Sequence, residues 1–185
     1  MSTETEAKLK VDSLEPIKHK LAELGAQFIQ EQLQTDYYFD DADGNLTKAD
    51  KCIRLRRQLA GGTAKALLTY KGPKEKDCFK KREEIEVEVA DADSAERFVL
   101  AIGYKRTVVF EKKRLIQRLG GCMVSLDELP LLGYFVEIEG PDDEKIACVQ
   151  RDLELSYLPH IRESYAYLME QKLGQLGGGQ RGVFL

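Results

Sequence analysis

The chain has no tryptophan, two histidines and four cysteines among its 185 residues. The cysteines form no CxxC pair and the histidines lie in no ligand motif, so we expect neither a zinc site nor a disulfide framework. No apolar run approaches the length that spans a bilayer, and no basic segment followed by an apolar one opens the sequence. We therefore expect a cytoplasmic protein with no membrane partner.

Neither sign of charge dominates, since the chain has 28 basic and 32 acidic residues and a formal net charge of −4. Such a balance argues against nucleic acid as a partner, because nucleic-acid binding usually needs a basic footprint. The length suits a single domain. We expect that domain over residues 1–173, followed by a disordered glycine-rich tail over residues 174–185.

What the sequence does have is strand-like alternation in which the polar face is almost entirely charged. Residues 4–11 place Glu, Glu, Lys and Lys at even positions and Thr, Ala, Leu and Val at odd positions. Because side chains alternate along a strand, the two sets lie on opposite faces. The same alternation recurs over residues 53–56, 82–89, 112–115 and 135–139.

These strands are interleaved with helices in an order that repeats. One helix is predicted after Ser13, with Leu14, Ile17, Leu21 and Leu24 on one face. A second is predicted after Asp93 or Ser94, and its inward residues are Ala95, Phe98, Val99 and Ile102. Two more are expected over Asp142–Leu155 and about Ile161–Leu173. The further strands are expected at Gln34–Asp40, Cys52–Leu59, Ala64–Lys71, Tyr104–Lys113, Arg114–Leu119, Cys122–Glu128 and Gly133–Glu139. Charged strand, helix and further strands therefore occur twice, over residues 4–71 and 82–139.

Two arrangements satisfy this pattern. In the first, apolar faces form the core and charged faces meet water, which is the default because charges are rarely buried without partners. In the second, an antiparallel barrel packs its apolar faces outward against helices, and the charged faces line its interior. Matched numbers of acidic and basic residues, recurring on most strands, favour the second. We predict an α+β fold with a closed, eight-stranded antiparallel β-barrel and helices packed outside.

The charged faces also suggest a ligand. Glu4 with Glu6, and Glu137 with Glu139, are i,i+2 carboxylate pairs that we expect to face each other across the barrel and to hold Mg²⁺ or Mn²⁺, which prefer oxygen ligands. The opposite charge comes from Arg54, Arg56, Lys71, Arg82, Lys112 and Arg114. So many inward cations need a polyanion, and a triphosphate fits because Arg offers forked donors and Lys offers point charge.

The N-terminal Glu4-x-Glu6-x-Lys8 motif resembles the signature of the CYTH superfamily, the triphosphate tunnel metalloenzymes. The series that follows over residues 53–56, 68–71, 82–86, 112–114, 125–127 and 132–139 matches the family's order. The resemblance implies a tunnel that binds triphosphate through Lys8, Lys10, Arg54, Arg56, Lys71, Arg82, Lys112 and Arg114. It implies metal ligands at Glu4, Glu6, Asp127, Glu137 and Glu139, with Asp127 orienting an arginine as its alternative role, and catalytic roles for Glu4, Glu6, Lys8, Glu137 and Glu139.

Several activities share such a tunnel. Arg162-Glu163-Ser164-Tyr165 resembles a segment of the class IV adenylyl cyclase-like branch, which implies conversion of ATP to cyclic AMP and pyrophosphate. The alternatives are a triphosphatase acting on inorganic or organic triphosphate and a non-catalytic nucleotide- or polyphosphate-binding module. The absence of tryptophan counts against a thiamine triphosphate specialist. The expected partner is a small triphosphate-bearing molecule, bound by one chain or by a homodimer.

Overall fold

The fold is built on one antiparallel sheet with helices against it. The computed structural model describes residues 2–74, 80–176 and 182–185, and at residues 2–4 and 80–81 it describes the backbone alone. The strands are β1 (Ser2–Val11), β2 (Gln27–Asp40), β3 (Cys52–Ala60), β4 (Thr63–Lys71), β5 (Lys80–Val89), β6 (Lys105–Leu119), β7 (Cys122–Leu129), β8 (Gly133–Glu139) and β9 (Gly182–Val183). The helices are α1 (Glu15–Glu23), α2 (Asn45–Lys48), α3 (Ala92–Ala101), α4 (Asp143–Asp152) and α5 (Tyr165–Gln175).

The strands pair into a single nine-stranded sheet. Neighbouring strands follow the order β2–β3–β4–β5–β1–β8–β7–β6–β9, and β2 also pairs with β6 along most of its length. Every pairing among β1–β8 is antiparallel, whereas β9 adds to β6 in parallel. Each half of the chain supplies a strand, a helix and three strands, as the repeat predicted. The predicted α+β class, with an antiparallel sheet of eight strands and accompanying helices, is confirmed.

Two strands differ from their predicted bounds. The segments Tyr104–Lys113 and Arg114–Leu119, which were expected as separate strands, form the single strand β6. They are continuous because no glycine, proline or other turn residue interrupts residues 105–119. Strand β2 begins at Gln27 and not at Gln34. Gly120 and Gly121 form the turn between β6 and β7, and both have positive φ (59° and 83°), as a tight hairpin turn requires.

Helices α1 and α4 cover one apolar face of the sheet. Leu9, Val136 and Ile138 of neighbouring strands β1 and β8 pack in one cluster with Leu21 of α1 and Ile146 of α4, and all five are fully buried. Burying an apolar strand face against a helix is the usual way in which a half-charged strand is stabilised. This arrangement leaves the charged face of the same strands on the other side.

Helix α3 differs from its prediction in the face that it buries. Val99 is buried, but Phe98 and Ile102 are 62% and 57% exposed, so their predicted inward orientation was wrong. A helix of 10 residues buries only a narrow stripe, which here runs through Ala95 and Val99. Its N-cap is Asp91, whose side chain accepts hydrogen bonds from the backbone of residues 93 and 94.

Helix α5 packs against the face of the sheet that carries the charged residues, and not against the opposite, apolar face where the helices were expected. On β6, Phe110 shares a face with Lys112, and on β8, Phe135 shares a face with Glu137, because each pair is two residues apart. Phe110 and Phe135 are buried in one cluster with Met169 of α5. At one end, therefore, the charged face becomes apolar and α5 covers it.

The C-terminal segment is ordered at both ends of the expected tail. Gly174 and Gln175 belong to α5, and the backbone of residues 182–183 pairs with Val109 and Phe110 of β6. The intervening residues 177–181 lie outside the described part of the chain. Within the described ranges, no helix combines the length and the apolar character that crossing a membrane requires.

Replacing Leu21 with alanine should lower the free energy of unfolding by about 2–5 kcal/mol, because Leu21 is fully buried between α1 and the sheet. Leu24→Ala is the matched control at the end of the same helix, where the side chain is 38% exposed, and it should cost less than about 1 kcal/mol. Urea denaturation measures both. Equal losses would show that α1 does not pack through Leu21.

A charged cavity as the candidate active site

A cavity of about 830 Å³ lies over the charged face of the sheet. Its lining includes most of the basic residues that the sequence predicted to bind phosphate: Lys8, Arg54, Arg56, Lys71, Arg82, Lys112 and Arg114. The carboxylates that line it are Glu6, Glu84, Glu86, Glu137 and Glu139. Strands from both halves of the chain therefore bring residues far apart in sequence to one space.

Three predicted site residues stand apart from this set: Asp127, which does not line the cavity, Lys10 and Glu4. Lys10 is exposed and is not part of the cavity lining, and its ammonium lies 5.9 Å from the centroid of the Phe135 ring. It follows Lys8 on the same strand face but sits nearer the strand's end. The backbone of Glu4 pairs with Arg82 of β5, whereas its side chain lies outside the described part of the structure.

The sequence predicted that the two glutamate pairs face each other across the cavity, and this prediction was wrong. The pairs lie side by side on neighbouring strands. Strands β1 and β8 are direct neighbours, and in their register Glu6 pairs with Glu139 and Lys8 with Glu137. Sequence alternation assigns residues to a face, but it does not reveal which strands are adjacent. One wall of the cavity therefore carries Glu6 of β1 together with Glu137 and Glu139 of β8.

Two aspartates hold arginines in fixed orientations. Asp36 accepts hydrogen bonds from Arg56 Nε at 2.6 Å and from a terminal nitrogen at 2.8 Å. Asp127 accepts from Arg114 in the same way, at 2.6 and 2.5 Å. Both aspartates are fully buried, at 0% exposure. Such forked pairs fix the guanidinium plane, so each arginine presents its remaining donors in one direction.

Asp127 holds an arginine in this structure, which matches one of the two roles that the sequence left open for it. Its two oxygens accept from Arg114, and one of them also accepts from the hydroxyl of Tyr165 at 2.9 Å. Asp36 was missed in the sequence, although Gln34 and Asp36 continue an inward alternation on β2 that signals it. Burial by itself would raise the pKa of the Asp36 carboxyl, but the charge and hydrogen bonds of Arg56 hold that pKa well below its ordinary value.

Tyr165, at the start of α5, sits among the cations of the cavity. Its ring faces the ammonium of Lys8 at 4.1 Å and that of Lys112 at 5.0 Å from the ring centroid. Lys8 also lies 3.3 Å from a carboxylate oxygen of Glu137 and donates to the backbone carbonyl of Glu163 at 3.1 Å. The first residue of α5 thus fixes two cations and, through Asp127, an arginine.

Two arginines that line the cavity each have one donor atom without a hydrogen-bond partner. The buried Nε atoms of Arg54 and Arg82 have no hydrogen-bond partner within the described part of the chain. Arg54 otherwise donates to Thr69 at 3.1 Å and to Glu86 at 3.4 Å. A buried donor that lacks a partner costs free energy, so these side chains are not held here by a full set of hydrogen bonds.

The carboxylates fit a hard divalent cation in chemistry, because oxygen ligands suit Mg²⁺ and Mn²⁺. Among the residues that the structure describes, however, no three potential ligand side chains are gathered closely enough to hold a metal. Glu137 is paired with Lys8 and with Arg114. Mg²⁺ usually takes one or two carboxylates and completes its coordination with phosphate oxygens and water, which Glu6 and Glu139 suit.

Comparison with known proteins agrees with the geometry. The model of the CYTH domain matches residues 2–165, so the chain belongs to the CYTH family. A Methanocaldococcus jannaschii protein named as a candidate adenylate cyclase is 32% identical over 136 residues, which cover 74% of this chain and 75% of that protein. The adenylate cyclase CyaB of Aeromonas hydrophila is 27% identical over 180 residues, which cover 92% of this chain and 90% of that one.

The solved structure of a Pyrococcus horikoshii protein resembles this fold with a TM-score of 0.80 and 30% identity, over 91% of this chain and 99% of that one. Members of the CYTH family act as adenylyl cyclase-like or triphosphatase enzymes, and the chain is an enzyme of that kind. Phosphorus–oxygen bond chemistry on a triphosphate accounts for a cavity with so many buried cations.

The ammonium of Lys112 should titrate near neutral pH. Burial above all, and then the charge of Arg114, lower its pKa to about 7, although the charge of Asp127 opposes them. Between pH 7 and the ordinary lysine pKa of 10.5, the unfolded chain binds more protons than the folded one, so the free energy of unfolding should rise with pH. This one group contributes as much as about 1.4 kcal/mol per pH unit.

Lys112→Met should flatten that rise, as measured by chemical denaturation at pH 7, 8 and 9. Lys113→Met is the matched control, because Lys113 is exposed on the other face of the same strand. It should keep the wild-type slope. If Lys112→Met also kept that slope, Lys112 would not have a lowered pKa.

Proposed function

We propose that the chain is a divalent-metal-dependent enzyme that binds the triphosphate of ATP in the charged cavity and converts ATP to cyclic AMP and pyrophosphate. The observation that carries this proposal is the convergence of seven basic side chains and five glutamates on one cavity. A relative named as an adenylate cyclase and one named as a candidate for that activity support the choice of reaction.

The sheet works, on this proposal, as a closed tunnel. The pairing of β2 with β6 supports it, because it gives a partner to the strand at each end of the order β2–β3–β4–β5–β1–β8–β7–β6. Closure would leave no open sheet edge beside the buried charges and would limit the entry of water. Water exclusion strengthens each interaction between a cation and a phosphate oxygen.

The basic residues bind and orient the triphosphate. Arg56 and Arg114, held by Asp36 and Asp127, offer donors whose direction is set before the ligand arrives. A Mg²⁺ or Mn²⁺ ion held by Glu6 and Glu139 with phosphate oxygens would neutralise part of the triphosphate charge and lower the pKa of the attacking hydroxyl. Glu4 and Glu137 lie two residues away on the same two strands, which suits them to assist.

In the proposed reaction, the ribose 3′ hydroxyl gives up its proton to water and its oxygen forms a bond to the α-phosphorus, while the bond from that phosphorus to the oxygen bridging to the β-phosphorus breaks. Negative charge grows on the departing pyrophosphate, and the cations around it stabilise that charge. Lys8, Arg54 and Lys71 lie in the cavity with the charge and donor capacity for this task. Hydrolysis would use the same residues but would place water in line with the terminal phosphorus.

Product analysis by ³¹P NMR tests the proposal. The purified protein receives ATP and inorganic triphosphate in parallel, each with Mg²⁺ or Mn²⁺. Cyclic AMP and pyrophosphate from ATP are the expected products. Phosphate and pyrophosphate from inorganic triphosphate, with ATP little changed, would instead establish a triphosphatase, and no turnover of either would favour a binding module.

Glu6→Gln should lower turnover by more than about 100-fold, since even the partners of metal ligands cost 10–100-fold when removed. Glu31→Gln is the matched control, because Glu31 is exposed on β2 and does not line the cavity. It should leave the rate unchanged. Circular dichroism checks that both variants fold. Full activity of a folded Glu6→Gln protein would contradict the assigned role.

A further inference from the structure

Strand β9 pairs with a stretch of β6 that lies beyond the reach of β7. One side of β6 pairs with β2 at Val109, so Gly182 of β9 pairs with the same residue from the opposite side. Strand β7 uses that opposite side too, but its pairing with β6 begins at Lys113. The backbone N–H of Leu185 then donates to a carboxylate oxygen of Glu111 at 3.1 Å. Residues 182–185 are therefore fixed to β6 beside the end of β7.

Val183 extends this attachment into the apolar end of the charged face. Its backbone pairs with Phe110, and its side chain is 8% exposed. It belongs to the same buried cluster as Phe110 and as Tyr165 and Met169 of α5. The next residue, Phe184, is 59% exposed, so the segment turns Val183 inward and Phe184 toward solvent.

Helix α5 depends on such packing for its position. It has 11 residues, and its buried residues are Tyr165, Met169 and Leu173, which form a single stripe. An isolated helix shorter than about 12–15 residues is marginal in water, so tertiary contacts and not intrinsic helicity hold it in place. Val183 supplies one of those contacts, although it does not line the charged cavity.

Tyr165 connects the apolar cluster to the charges of the cavity. Its ring packs edge-on against Phe135, with 5.1 Å between centroids, and the same ring faces the ammonium groups of Lys8 and Lys112. Its hydroxyl donates to Asp127, which also holds an arginine. A displacement of α5 would change all of these contacts together, because they meet on one side chain.

From these contacts we propose that Val183 is a positioning residue for the charged cavity. It holds α5 where Tyr165 keeps Lys8, Lys112 and Asp127 in the arrangement that binds triphosphate. The inference rests on the proposed function, because a triphosphate is the ligand whose affinity reports that arrangement. It goes beyond that function by giving a role in ligand binding to a segment outside the cavity.

The substitution Val183→Ser tests this inference, because it removes the apolar contact and leaves the backbone pairing of β9 possible. Phe184→Ala is the matched control at the next, exposed residue. Leu21→Ala is a second control, because it destabilises the fold from the opposite, apolar face of the sheet. Calorimetric titration of each full chain with inorganic triphosphate and Mg²⁺ gives the dissociation constant, at a temperature where circular dichroism shows every variant folded. Hydrogen exchange reports how well α5 is held.

Val183→Ser should weaken triphosphate binding about tenfold, the lower end of the loss when a group that orients a ligand-binding residue is removed. It should also speed hydrogen exchange in α5. Val183→Ile keeps the apolar contact and should stay within about twofold of the wild-type affinity, since similar apolar side chains replace one another at small cost. Phe184→Ala and Leu21→Ala should bind as the wild type does.

Unchanged triphosphate affinity in a folded Val183→Ser protein would overturn the inference, even if α5 exchanged faster. An equal loss of affinity in Leu21→Ala would overturn it as well, because the effect would then belong to general instability. A wild-type chain that does not bind triphosphate would instead defeat the proposed function itself.

Discussion

The charged side chains on one face of the sheet are removed from water, and the rest of the structure depends on this constraint. Lys112 and Asp127 are almost completely buried, and a buried ion without a partner costs several kilocalories per mole. The chain meets this cost with forked pairs between Asp36 and Arg56 and between Asp127 and Arg114. Each pair lies within one of the two repeats and joins two neighbouring strands. The apolar residues of the same strands then pack outward against α1, α3 and α4.

Stability alone does not explain so many buried charges. Seven cations and five glutamates line the cavity, and Asp36 and Asp127 pair with two of the arginines, so acidic and basic groups are matched in number. Buried ion pairs often stabilise a fold less than hydrophobic packing does. The forked and point donors of the basic side chains suit a polyanionic ligand. Tyr165 brings α5 into the same network, so the helix that covers the apolar end of the face also fixes the cations beside it.

Much of this could be predicted because strand alternation is a strong signal when one face is charged. The faces of Lys8, Arg54 and Lys112 followed from period 2 alone. Adjacency did not follow, since alternation carries no information on which strands pair, and the glutamates of β1 and β8 were placed on opposite walls. Asp36 was missed because it is one carboxylate among glutamines, and its importance depends on Arg56, 20 residues away. Phe98 shows the limit of helical periodicity when a short helix buries only a narrow stripe.

We expect the buried cations of the cavity to bind a polyphosphate. Thermal unfolding with and without inorganic triphosphate and Mg²⁺, at constant ionic strength, tests it most directly, because a ligand that binds only the folded state raises the melting temperature. The melting temperature should rise saturably with triphosphate, and much less with monophosphate at the same concentration. Equal effects of the two anions, or none, would contradict a site built for a triphosphate.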